Sequence, residues 1–165
     1  GRYRSRVQYV VEEMGLEIDR KVLELEVENE QVFDLIITPQ DVGGAIEFRD
    51  LKPNEGIKRN EVVVEIKTNM GKKYQVNQNV IAALTNKEGN AINSKYFAVR
   101  TESMETKGVV KIPDTLEAKI GDMVLFVSDA AGSSDKFKIV YELASPEDVK
   151  AGDYSTRISY SLLEI

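Results

Sequence analysis

Much of the chain alternates between apolar and polar residues with a period of two. In VLELEVENE, residues 22–30, Leu23, Leu25 and Val27 alternate with glutamates. In the following QVFDLIITP, Phe33, Leu35 and Ile37 keep the same odd-numbered parity. Successive side chains of a β-strand point to opposite faces of its sheet, so this pattern predicts strands with one buried face. We therefore predict a chain built mainly of half-buried strands.

Three later segments show the same period. EVVVEIKTNMGKKYQV, residues 61–76, resumes its alternation after the turn signal NMG, which predicts a β-hairpin. KFKIVYEL, residues 136–143, has its apolar positions on one side. The chain closes with AGDYSTRISYSLLEI, where one face of a terminal strand carries Tyr154, Ile158, Tyr160 and Leu162. Short strands separated by turn signals predict an all-β fold, an immunoglobulin-like antiparallel β-sandwich.

The first segment of the chain is ambiguous in its period. Val7, Val10, Val11 and Met14 recur at helical spacing, whereas VQYVV also suits a strand. We predict an N-terminal arm or short helix over residues 1–20 and a single sandwich domain over residues 21–165. Gly1 is not an initiator residue, so we expect that an upstream segment has been removed.

The charge pattern argues against a nucleic-acid partner, and the lengths of the apolar runs argue against a membrane span. The chain has 22 basic and 28 acidic residues, a formal net charge of -6, and no basic cluster beyond the initial GRYRSR. Nucleic-acid binding depends on clustered cations, so we predict no nucleic-acid partner. No stretch approaches the roughly 20 consecutive apolar residues of a spanning helix, so we also predict no membrane span.

The chain contains no histidine and no cysteine. Serine and cysteine nucleophile mechanisms with a histidine base, histidine-ligated zinc and thiolate metal sites therefore cannot be built from this chain alone. We predict that the protein is not an enzyme and that it has no catalytic residues, cofactor or metal. Carboxylate chemistry stays open as a less favoured alternative, a hydrolase with two acidic groups facing each other across a cleft.

Three short motifs have both a functional and a structural interpretation. Asp129, Ser133 and Asp135 in DAAGSSD supply oxygen ligands of the kind calcium prefers, but the spacing lacks the regularity of a calcium loop and favours a solvated hairpin. Tyr96 and Phe97 could stack on a sugar only if they share an exposed patch, and aromatics at strand positions are more often core. In AGDYS, the tyrosine is placed to hydrogen-bond back to the preceding loop and fix a sandwich corner.

Three stretches together resemble a known family. VLELEVENEQVFDLI, EVVVEIKTNMGKKYQV and AGDYSTRISYSL resemble, in order and approximate spacing, the major subunits of bacterial fimbriae of the alternate chaperone-usher (class 5) type, and related secreted pilin-like proteins. The resemblance covers most of residues 22–162. It departs from the family in the roughly twenty residues that precede the first of these strands.

The resemblance implies a structural or adhesive subunit outside the cell, on its surface or in the periplasm. Such subunits have an incomplete sandwich whose open groove is filled by a strand from a neighbouring copy or related subunit, a form of β-augmentation. On this basis Leu23, Leu25 and Val27 are the candidate donor face. The terminal strand with Tyr154, Ile158, Tyr160 and Leu162 is the candidate flank of the groove.

One alternative function is a self-contained extracellular module that binds a carbohydrate or protein ligand. In that case the strand containing Leu25 would pair within its own sheet. A host or surface ligand remains a possible partner under either interpretation.

Overall fold

The chain folds almost entirely into β-strands. The computed structural model describes residues 2–38, 45–104 and 106–165. In chain order, the strands within these ranges are β1 (Arg2–Glu13), β2 (Leu16–Glu28), β3 (Phe33–Thr38), β4 (Ala45–Leu51), β5 (Ile57–Thr68), β6 (Tyr74–Val80), β7 (Phe97–Ser103), β8 (Val109–Val110), β9 (Leu116–Glu117), β10 (Gly121–Val127), β11 (Asp135–Ala144) and β12 (Gly152–Glu164). A 3-10 helix covers Ser94–Tyr96, and the described part of the chain has no helix long and apolar enough to cross a bilayer.

The chain divides into two compact units, Gly1–Val32 and Phe33–Ile165. The first unit contains one two-stranded sheet, formed by β1 and β2. The second contains two five-stranded sheets, with strand orders β4-β12-β6-β10-β8 and β3-β5-β11-β7-β9. Every strand pairing in the described ranges is antiparallel, which confirms the predicted all-β antiparallel sandwich.

The core of the second unit lies between its two sheets. The apolar side of β11 is fully buried, as its alternation predicted: Phe137, Ile139, Tyr141 and Leu143 have no exposed surface. Across the sandwich, the ring of Phe126 on β10 stacks on that of Phe137 with centroids 4.9 Å apart. Burial of such a side chain contributes about 1.5–3 kcal/mol, so this face of β11 holds the two layers together.

The prediction of a short helix at the N terminus is wrong, because residues 2–13 form strand β1. Met14 and Gly15 have φ values of 50° and 79°, the geometry of a two-residue hairpin turn. The turn lets β2 pair with β1 along its length, from Arg2 opposite Glu28 to Glu13 opposite Leu16. Pairing with a complementary strand outweighs the helical spacing of the valines.

The predicted hairpin over residues 61–76 is also wrong. β5 pairs with β3 and β11, whereas β6 pairs with β10 and β12, so the two strands belong to opposite sheets. Residues 69–73 cross from one layer to the other. A hairpin within one sheet and a crossing between two sheets give the same alternation on either side of a turn. Here the apolar faces of β5 and β6 meet across the core instead of lying side by side in one sheet.

Residues 128–134 make a second crossing between the sheets, where the sequence favoured a hairpin. The two crossings contact each other: the Ser134 hydroxyl accepts a hydrogen bond from the Thr68 N–H at 2.9 Å, and the Ser128 hydroxyl accepts one from the Tyr74 N–H at 2.9 Å. Gly132 lies where the crossings are closest. A Cβ on this residue would come within 1.9 Å of the Lys72 carbonyl oxygen.

We expect Gly132→Ala to destabilise the sandwich by roughly 3 kcal/mol or more, because the added Cβ meets backbone and φ is +60°. Gly89→Ala is the matched control, since Gly89 also has positive φ (+81°) but nothing within 4 Å of the added atom. The control should lose only about 1–2 kcal/mol from backbone strain. Denaturant unfolding of the two variants measures the difference, and equal losses would contradict the close approach.

Candidate functional site

The terminal strand β12 has two halves with different neighbours. Along Gly152–Arg157 it pairs with β4 on one edge, and this pairing stops where β4 begins, at Ala45 opposite Arg157. Along Ile158–Glu164 it pairs with β6 on the other edge. Among residues 2–38, 45–104 and 106–165, no strand pairs with the outer edge of this second half.

The hydrogen bonds at either end of the second half show which backbone groups face that edge. The Arg157 carbonyl accepts a bond from the Ile81 N–H at 2.9 Å, and the Ile165 N–H donates to the Lys73 carbonyl at 3.0 Å, so the odd-numbered residues bond toward the β6 side. Backbone groups of an antiparallel strand alternate in direction. The N–H and C=O groups of Ile158, Tyr160 and Leu162 therefore point toward the outer edge.

Half-buried apolar side chains lie beside this edge. Phe33, Leu35 and Ile37 on β3 and Tyr160 and Leu162 on β12 all pack against the core without being fully covered by it. β3 is itself the edge strand of the opposite sheet. We call these five residues, together with the outer edge of Ile158–Glu164, the terminal groove.

A buried hydrogen-bonded cluster fixes the floor of the terminal groove. The Tyr141 hydroxyl donates to the Gln78 side-chain oxygen at 2.6 Å, and its oxygen lies 2.9 Å from the Tyr160 hydroxyl. Tyr141 has a single hydroxyl proton, which is used on Gln78, so Tyr160 donates to Tyr141. These bonds tie β12 to both β6 and β11 and hold the Tyr160 ring in place.

The tyrosine corner predicted from AGDYS is confirmed. The Tyr154 hydroxyl donates to the Lys150 carbonyl at 2.9 Å, in the loop before β12. Tyr154 is 1% exposed. The bond anchors the start of the strand whose other end borders the terminal groove.

The structure divides the predicted groove-flanking residues between two environments. Tyr154 and Ile158 are core residues, whereas Tyr160 and Leu162 line the terminal groove. Sequence reasoning missed the part played by Phe33, Leu35 and Ile37, whose alternation was noted but could not show which strand they face.

The candidate donor residues lie in the first unit, on β2. Leu23, Leu25 and Val27 share one face of the β1–β2 hairpin and are 47%, 47% and 60% exposed. The glutamates between them occupy the other face, where Arg2 pairs with Glu28 at 3.2 Å and Arg4 with Glu26 at 3.4 Å. The hairpin thus has an apolar face and a charged face.

Asp129, Asp135 and Phe97, which were considered for ligand binding, have internal roles. The Asp129 carboxylate accepts hydrogen bonds from the Ser133 N–H and hydroxyl, each at 2.9 Å, and these bonds lower its pKa. The Asp135 carboxylate accepts bonds from the N–H groups of Lys107 and Gly108. Phe97 is only 3% exposed and offers no open ring face to a sugar.

A scan of the sequence against protein-family models gives no match, and neither does a search of curated proteins. The fold therefore defines the class of protein, an antiparallel β-sandwich preceded by a β-hairpin. Its likeness to fimbrial subunits rests on the three stretches quoted from the sequence and stays a prediction.

Because of the tyrosine cluster, the free energy of unfolding changes with pH in the alkaline range. Burial raises the pKa of Tyr160 to about 12 and also raises the pKa of Tyr141. An unfolded tyrosine loses its proton near pH 10, so between pH 10 and about 12 the unfolded chain binds fewer protons than the folded one, and the free energy of unfolding falls as pH rises.

We expect Tyr160→Phe to make this fall shallower, because one of the groups that titrates differently in the two states is removed. Denaturant unfolding of both proteins from pH 9 to 12 measures the slope. An unchanged slope would mean that Tyr160 does not keep its proton through burial in the folded state.

Proposed function

We propose that this chain is a non-catalytic structural subunit of a surface assembly of the fimbrial kind, in which copies attach to one another when a strand of one fills the terminal groove of another. The observation that carries the proposal is the outer edge of Ile158–Glu164, with which no strand of residues 2–38, 45–104 and 106–165 pairs, beside half-buried apolar side chains. The partners are other copies of this chain or related subunits. The family resemblance suggests a location outside the cell, on its surface or in the periplasm.

The groove offers both parts of a strand-binding site. Outward-pointing N–H and C=O groups supply backbone hydrogen bonds, and the apolar strip supplies contacts for alternate side chains, the combination used in β-augmentation. An unshielded sheet edge is a template for pairing with another chain, and proteins commonly blunt such edges with charge or proline. Ile158, Tyr160 and Leu162 carry neither.

β2 fits this site in pattern and in length. Its stretch from Val22 to Glu28 is as long as the open stretch Ile158–Glu164. Leu23, Leu25 and Val27 would face the apolar strip, while the intervening glutamates would face solvent. A shift by one residue would bury glutamates, so the alternation fixes the register.

The geometry of β12 favours a donor from a second copy. Antiparallel insertion with Leu25 opposite Leu162 and Val27 opposite Tyr160 would set Leu23 beside Glu164 and carry residues 16–22 past the end of β12. Parallel insertion would run residues 16–21 into the place that β4 occupies beside Gly152–Arg157. Antiparallel pairing is therefore the orientation that the free edge accommodates.

The chain's own β2 would have to enter in parallel. The ring of Phe33 at the start of β3 lies 5.9 Å from that of Tyr74, which pairs with Glu164, so β3 begins at the far end of β12. A strand joined to Phe33 through residues 29–32 alone could reach the groove only with its last residues at that end. A second copy has no such constraint.

We expect Leu25→Asp to weaken association between copies by roughly a hundredfold. Burial of a leucine contributes about 1.5–3 kcal/mol, each 1.4 kcal/mol corresponds to about a factor of ten, and the substitution also places a charge against an apolar strip. Size-exclusion chromatography with light scattering on the full chain measures this. Val22→Asp is the matched control, since Val22 is similarly exposed (49%) but lies on the charged face of the same strand. Equal effects of both variants, or none from Leu25→Asp, would refute the donor role.

A backbone substitution tests the acceptor edge. Leu162→Pro removes an N–H that points to the outer edge and leaves the bonds to β6 in place, so we expect it to reduce association while the sandwich stays folded. Leu162→Ala is the control for the lost side chain. Association that is no weaker for Leu162→Pro than for Leu162→Ala would show that the edge is not used.

A further inference from the structure

We infer that β1 masks the donor strand, so that β2 can fill the terminal groove of another copy only after β1 has separated from it. This inference rests on the proposed function and concerns how donation is controlled. It is carried by the direction of the backbone groups on the apolar residues of β2. In the hairpin these groups bond to β1, and in the join between copies they would bond to β12.

The turn of the hairpin determines which backbone groups of β2 bond to β1. In a hairpin closed by the two-residue turn Met14–Gly15, the flanking residues Glu13 and Leu16 form a hydrogen-bonded pair. Hydrogen-bonded and non-hydrogen-bonded pairs then alternate along the ladder. The irregularity near the turn adds Ile18 to β2 and no residue to β1, so the alternation can be counted along β1. The odd-numbered residues of β1 therefore bond to β2, and their partners include Leu23, Leu25 and Val27.

The terminal groove needs the same backbone groups. The N–H and C=O groups of Tyr160 and Leu162 point to the outer edge of β12, and the side chains of both residues line the groove. Directly opposed residues of an antiparallel pair lie on the same face. The apolar face of β2 therefore lies inward when residues such as Leu25 and Val27 are opposite Leu162 and Tyr160. Outward-pointing groups bond to the residue directly opposite, so the bonds to β12 must come from Leu25 and Val27.

These groups cannot serve both strands at once. In the hairpin Leu25 lies opposite Ser5 and Val27 opposite Tyr3, so their N–H and C=O groups are directed to β1. The other edge of β2 carries the backbone groups of the intervening glutamates. Pairing that edge with β12 would turn Glu24 and Glu26 toward the apolar strip, and burying charge there is unfavourable. β1 therefore has to leave before β2 can join.

The bonds between β1 and β2 allow the hairpin to open. Three cross-strand ion pairs join the strands on the charged face, and all six side chains are exposed: Arg2–Glu28, Arg4–Glu26 and Arg6–Glu24. Exposed ion pairs contribute little stability each. An isolated two-stranded hairpin is at best marginally stable in water, and in the described ranges no third strand joins this one.

Masking makes the affinity between copies depend on how often the hairpin is open. When the binding-competent state is only partly populated, the apparent affinity falls in proportion to its population. In a free copy β1 covers backbone groups that could otherwise pair indiscriminately with another chain. Any change that loosens β1 should therefore strengthen the join between copies.

A reversible cross-link tests whether β1 must leave. Arg4→Cys combined with Glu26→Cys places two thiols on a non-hydrogen-bonded pair, where the Cα atoms are about 4.5 Å apart, a distance that a disulfide spans. The chain has no other cysteine, and the two substitutions leave the net charge unchanged. We expect the oxidised full chain to associate at least roughly tenfold more weakly than the same chain after reduction, measured by sedimentation.

Non-reducing electrophoresis shows that the bond lies within one chain, and the reduced protein is the matched control because it carries the same substitutions. Equal association of the oxidised and reduced forms would overturn the masking, since β2 would then be donated without losing β1.

A proline in β1 tests the opposite direction. Ser5→Pro removes an N–H that is directed to Leu25, so the hairpin should open more often and association should tighten by roughly fivefold. Gln8→Pro is the matched control, because the N–H of Gln8 points away from β2, and it should leave association near the original value. Association that is unchanged or weaker with Ser5→Pro would contradict competition between β1 and β12.

The masking and the proposed function fail separately. If Leu25→Asp leaves association unchanged, β2 is not donated and the proposed function fails. If Leu25→Asp weakens association while the oxidised cross-linked chain associates as well as the reduced one, the masking alone is refuted.

Discussion

The most important feature of the second unit is an interruption in the backbone pairing along the outer edge of β12. β4 satisfies the outer edge of this strand as far as Arg157, and in the described ranges the edge from Ile158 onward meets no strand. Backbone groups beside apolar surface are costly to leave without partners. Here they lie beside side chains that the core covers only in part. A single added strand would meet both needs.

The rest of the sandwich keeps that site in a fixed shape. The Tyr154 hydroxyl anchors the beginning of β12 to the loop before it, and the bonds among Tyr141, Gln78 and Tyr160 tie its second half to both sheets. A binding site that is already ordered loses less conformational entropy when a partner arrives. In the part of the chain that the structure describes, the groove thus has the form of an ordered sheet position with no strand in it.

Sequence alone supports the strands and their buried faces, because a period of two reports which side of a strand is apolar. It placed Tyr160 and Leu162 on the apolar face of the last strand and predicted the tyrosine corner. It could not show which strands are neighbours, so residues 61–76 were assigned to a hairpin when β5 and β6 belong to opposite sheets. It also missed the pairing of the first strand, although basic residues at alternate positions near the start and glutamates at alternate positions in β2 were a usable signal for it.

Hydrogen exchange at the amides of Ile158, Tyr160 and Leu162 tests the central claim most directly. The account predicts fast exchange at these alternate positions in dilute protein, and protection that rises with protein concentration as copies join. The intervening amides of Ser159 and Ser161, which bond toward β6, should be protected throughout. Fast exchange of the outward amides at every concentration, or protection independent of concentration, would contradict the account.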